Sequence, residues 1–179
     1  MSRNQEFHDA AGRKYVETDM PKSYQYKHKL SSFGQPRRLS VYDPNDPTPR
    51  KIKRGYVSDV KEGERGKKGL VGYVDFYREP REIVGTSTHT DEHGNQTKQP
   101  IEAKPNTNIG FMTVHDKHRG GGISTQMAEY LNKTTPEDAR LNFGEVHHIG
   151  IAKIAAKMER ENPSGRIHAK GLWYFKDQL

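Results

Sequence analysis

The residues best suited to chemistry lie between Val114 and Ile123. There an apolar run, Asn108 to His115, feeds into Lys117-His118-Arg119-Gly120-Gly121-Gly122 and then into an amphipathic stretch. A strand that ends in a glycine-rich turn and leads into a helix is a device for holding phosphate. The first N–H groups of the helix point outward unsatisfied, the helix dipole favours negative charge there, and glycines let the main chain approach the oxygens. A triple glycine also fits a plain flexible turn, so the flanking elements have to carry the argument. For proton transfer the candidates are Glu145, His147 and His148, which follow that helix in the chain. A plainer role for Glu145 is to open the next helix, where the dipole favours a negative charge. The pairs His89/His93, His115/His118 and His147/His148 invite a metal. No carboxylate is fixed at helical spacing to complete a tetrahedral set, and no metal is expected.

The stretch resembles the coenzyme A pyrophosphate loop of GNAT-type N-acetyltransferases, which carry a Gln/Arg-x-x-Gly-x-Gly/Ala turn after their fourth strand. Val114 looks like the strand end, Lys117 through Gly122 like the turn, and Ile123 like the helix start. Gly120 and Gly122 match the two glycine positions. Lys117 stands where Gln or Arg is usual, which keeps a charge and loses a planar donor. The resemblance implies acetyl-CoA as co-substrate and transfer of an acetyl group to an amine, with a general base to deprotonate that amine. Glu145, His147 and His148 supply the base if residues 140–146 form the family's fifth strand. Two features of the family are not legible: a pair of helices, which would fall in Asp43 to Gly69, and a tyrosine acid, which HHIGIAKIAAKMER lacks.

The elements that must position these residues follow from periodicity. Arg38 to Tyr42 reads as a strand ended by the proline-rich 43–49, Ile52 to Val60 as a weaker strand, and Lys61 to Gly69 as a polar turn. Leu70 to Tyr77 is rich in β-branched and aromatic residues and pairs on expectation with Arg81 to Thr88 as a hairpin. Thr90 to Asn106 is polar and reads as a long loop. Asn108 to His115 suits a strand buried on both faces. Ile123, Met127, Tyr130 and Leu131 fall on one helical stripe, with Tyr130 in the core, and Ile151, Ile154, Ala155 and Met158 on a second, over roughly Val146 to Glu161. Arg166 to Phe175 alternates as a closing strand. The expected class is therefore α/β: a mixed, mostly antiparallel sheet with flanking helices, which the resemblance specifies as acyl-CoA N-acyltransferase-like.

Composition bounds the rest. With 179 residues and 31% hydrophobic content, the chain suits one core plus a segment that buries little. Residues 1–36 read as a basic, poorly ordered arm and 37–179 as the acetyltransferase-like domain. The absence of cysteine excludes disulfides and thiolate chemistry. No apolar run reaches membrane-span length and no secretory leader is legible, so a cytoplasmic protein is expected. The net charge of +7 lies wholly in residues 1–70, with 16 Lys/Arg against 9 Asp/Glu. Basic and aromatic residues interleave at Lys14-Tyr15, at Tyr24 to Lys29 and near Arg37-Arg38, which suits contact with nucleic acid or an acidic protein. Two further readings stay open beside the enzyme: a basic nucleic-acid-binding protein, and a non-catalytic assembly protein with an acetyltransferase-like fold.

Overall fold

The computed structural model describes residues 5–21 and 34–179. Strands β1 (Glu6–His8), β2 (Lys14–Asp19) and β3 (Gln35–Tyr42) are followed by β4 (Pro49–Lys53), β5 (Tyr56–Asp59) and the short β6 (Lys67–Lys68). Next come β7 (Leu70–Arg78), β8 (Glu82–Thr90), β9 (Gln96–Ala103) and β10 (Thr107–Val114). Helix α1 (Ile123–Thr134), strand β11 (Leu141–Glu145), helix α2 (Ile149–Glu161) and strand β12 (Ile167–Lys170) complete the main elements.

A seven-stranded sheet runs in the order β1-β2-β3-β7-β10-β11-β12. It is antiparallel from β1 to β10 and parallel from β10 to β12, so the class is the expected mixed, mostly antiparallel α/β. The central strand β7 is buried along nearly its whole length, as its β-branched and aromatic content requires. Helix α1 buries Ile123, Met127 and Leu131 at i, i+4 and i+8, with Ala128 beside them. Helix α2 adds Ala152, Ala155 and Met158 to the same core, which packs on Leu39, Val41, Val74 and Phe76 of the sheet. A second cluster, Val57, Leu70 and Tyr73, ties the small sheet β5-β4-β6 to the large one.

Several expectations are corrected. The arm expected over residues 1–36 contains β1 and β2, and β2 pairs with β3 over six residues. Tyr15 is fully buried in the main core. The strand was hidden because its second inward position is Glu17 rather than an apolar residue; Arg37 and Arg78 compensate that carboxylate at 2.9 and 2.7 Å. Tyr24 to Lys29 lie outside the described residues. Strand β7 pairs with β3 and β10, while β8 pairs with β9, which occupies the stretch read as a loop. That two-stranded ribbon is solvated on both faces, so no period-2 pattern marks it and Pro100 costs no buried pairing.

Ile52 to Val60 is not one strand but the hairpin β4–β5, turned at Arg54-Gly55. Strand β10 is not buried on both faces: Phe111 is 43% exposed beside a bulge. The closing strand ends at Lys170, and a 3-10 helix over Leu172–Gln178 leaves Trp173 exposed. Among the described residues no helix is long and apolar enough to cross a membrane.

Candidate functional site

At the end of β10 the His115 N–H still bonds to the Val71 carbonyl, at 2.8 Å, and a single 3-10 turn, Asp116–His118, then redirects the chain into the glycines. Gly120 and Gly122 both take left-handed backbone, with φ of 80° and 84°. A Cβ at either position would project into open space, so the requirement for glycine is conformational. Gly122 caps α1 without any side-chain bond, and the first intrahelical bond runs from the Gln126 N–H to the Gly122 carbonyl. The N–H groups of Ile123, Ser124 and Thr125 therefore have no acceptor within the helix.

The turn is fixed from below by a charged network. Arg50, 1% exposed, donates to Asp59 and to Asp46, each at 2.7 Å. His118 meets Asp46 through Nε2 at 2.7 Å, and His115 meets Asp59 through Nε2 at 3.2 Å. The Nδ1 of His115 accepts the Lys117 N–H, which leaves the proton on Nε2, facing Asp59. Burial, followed by the Arg50 charge, holds His115 below its ordinary value. The hydrogen bond from Thr48, then those from His118 and Arg50, hold Asp46 well below the usual carboxylate range. Both histidines thus serve to fasten the turn to the 43–59 segment.

Above the glycines lies a cleft of about 420 Å³. One wall is Val114, His118, Arg119, Gly120, Gly122 and the first turn of α1; the other is His148, Gly150, Ile151 and Ile154, at the start of α2. Two helix N-termini therefore face one space, and their dipoles add in favour of an anion. His148 caps α2, its Nδ1 accepting the Gly150 N–H at 3.1 Å, so the ring offers an Nε2–H donor.

Strand β10, whose Thr113 and Val114 line the cleft, parts from its neighbour β11. Strands β10 and β11 pair only at Thr107–Leu141 and Asn108–Asn142, where the Asn142 side chain also donates to Asn108 at 2.7 Å. Beyond that point a bulge between Ile109 and Phe111 bends β10, which stays with β7, while β11 follows β12 to Glu145. The two parallel strands splay into a wedge that opens toward the glycine turn.

Of the residues singled out by sequence, Val114, His118, Arg119, Gly120, Gly122, Ile123 and His148 line the cleft. Lys117 does not. Lys117 is exposed on the 3-10 turn, its charge acting on Asp59, and the cation that lines the cleft is Arg119, which pairs with Asp116 at 2.9 Å. Glu145 and His147 stand together at the end of β11, 3.9 Å apart and largely exposed. Gly121 is held from behind, its carbonyl accepting from Arg13 Nη2 at 2.8 Å. Arg13 is itself fixed by Asp9 at 2.7 Å, and Asp9 also accepts from Tyr15 and from the Ala11 N–H.

Sequence reading missed this clamp. Its available signal was the turn signature Asp9-Ala10-Ala11-Gly12, which marks a hairpin. Of the described residues offered for nucleic acid, Arg38 is bound to Asp75 and Arg37 to Glu17 and Asp19, while Lys14 forms a half-exposed pair with Glu6 at 3.4 Å. Arg37 and Arg38 are also buried.

No family model matches the chain, and neither does any curated protein. Among solved structures, the xEco2 acetyltransferase domain bound to a CoA conjugate is similar with a TM-score of 0.44 and 13% identity, covering 93% of this chain and 98% of that one. A second structure of the xEco2 acetyltransferase domain gives 0.43 and 10% identity, over 94% of this chain and 97% of that one. At these values the overlap says nothing about chemistry.

Proposed function

We propose that the cleft binds acetyl-CoA and that the protein transfers the acetyl group to an amine. The observation that carries this reading is the wedge: a strand leaves its parallel neighbour after two paired residues and ends in an uncapped glycine turn. The N–H groups of Ile123, Ser124 and Thr125, the His148 Nε2–H and the Arg119 guanidinium suit a pyrophosphate. The unpaired edge of β10 suits the amide-bearing arm that joins that pyrophosphate to the thioester.

In the transfer, the amine nitrogen attacks the thioester carbonyl, the C–N bond forms and the C–S bond breaks, and the nitrogen loses a proton to a base. Glu145 and His147, at the open end of β11, are the bases in this reading. His148, whose Nδ1 already accepts a backbone N–H, is a donor to the cofactor rather than a base. Release of free thiol from acetyl-CoA on addition of amines tests the proposal. The unmutated protein should release thiol with at least one amine class, Arg119→Ala should raise the KM for acetyl-CoA, and Lys117→Ala should leave it nearly unchanged. Cofactor binding with no thiol release across amines would favour a non-catalytic relative.

A further inference from the structure

The basic excess of this chain is concentrated in one short segment. Residues 49–68 carry eight Lys/Arg against three Asp/Glu, whereas residues 1–36 carry six against four. Most of the +7 net charge therefore belongs to the small sheet β5-β4-β6. Between that sheet and β3 lies a pocket of about 330 Å³. Five cations line it: Arg38, Arg50, Lys51, Arg65 and Lys67. Arg38 and Arg50 form a buried floor and are held by carboxylates, Arg38 by Asp75 at 2.6 and 2.8 Å and Arg50 by Asp46 and Asp59. Lys51 is bound to Glu64.

Arg65 and Lys67 are exposed and have no ion pair among the described residues. They are not loosely placed. Between them Gly66 presses its backbone onto β4, where a Cβ would lie 3.0 Å from the Arg50 backbone and 2.5 Å from Val60 Cγ1. Lys67 is also in register with Arg50. The Ser40 hydroxyl completes the polar lining. Leu39 and Val41 face the helices, so Arg38 and Ser40 lie on the opposite face of the sheet from the cofactor cleft.

We propose that this pocket is a second anion site, taking a phosphate or carboxylate group between Arg65 and Lys67. Two cations on a tightly placed backbone, over a floor of already neutralised guanidiniums, give net attraction for an oxyanion. A pocket of this size suits one anionic group on a small molecule or side chain better than a track along a polymer. The site stands whether or not the cleft binds coenzyme A.

Calorimetric titration of the full chain at low salt tests it, with citrate as the carboxylate probe and inorganic pyrophosphate as the phosphate probe. At least one probe should bind, and the tighter of the two identifies the source. Arg65→Gln with Lys67→Gln should weaken that binding tenfold or more at an unchanged melting temperature. Gly120→Ala with Gly122→Ala, which leaves Arg65, Lys67 and Gly66 in place, should retain it. Heat from neither probe, heat unchanged in the Arg65/Lys67 variant, or binding confined to a single-stranded oligonucleotide would each overturn the proposal.

Discussion

His115 shows how a single side chain holds the turn. Its ring accepts one backbone N–H, donates to Asp59 and is kept neutral chiefly by burial. Because its folded value lies below the ordinary one, the unfolded chain takes up the proton first as pH falls. The stability linked to this group is complete above about pH 6.5 and is lost as pH falls through the folded value. The melting temperature should therefore decline between pH 7.5 and 5, and His115→Gln should decline less over that interval; parallel declines would remove His115 as the cause. Gly120, Gly122 and the helix start were readable from residue type alone. The exchange of Lys117 for Arg119 was not, since a 3-10 turn shifts which residue faces the cleft while leaving the spacing untouched.

At the scale of elements, the legible parts were those whose buried face is apolar. The stripe of α1 and the run of β7 declare themselves in this way. Strand β2 was invisible because Glu17 occupies an inward position and needs Arg37 and Arg78, residues distant in sequence, to be tolerated there. The ribbon β8–β9 was misjudged for the opposite reason, having no buried face to leave a pattern. The N-terminal strands are integral, and this is measurable. Tyr15→Ala should cost about 3–5 kcal/mol, as for other large aromatic deletions from a core. Removal of residues 1–36 should abolish cooperative melting, and a truncated protein that melts like the whole would contradict the sheet order.

Across the whole molecule, the candidate site is assembled from pieces that no local window contains. Arg13 reaches Gly121 across 108 positions of sequence, and the two cleft walls come from the starts of α1 and α2. The glycine turn was legible, but its clamp and its second wall are products of the fold. Coenzyme A binding is the claim on which the proposed acetyl transfer depends, and calorimetric titration with a parallel melting curve tests it most directly. The unmutated protein should bind coenzyme A and gain about 2.7 kcal/mol of stability at a hundred times the dissociation constant. Gly120→Ala with Gly122→Ala should abolish the heat, since a side chain at either position strains the left-handed backbone by about 1–2 kcal/mol and disturbs the turn that presents the amides. No heat and no stabilisation with the unmutated protein would contradict the account.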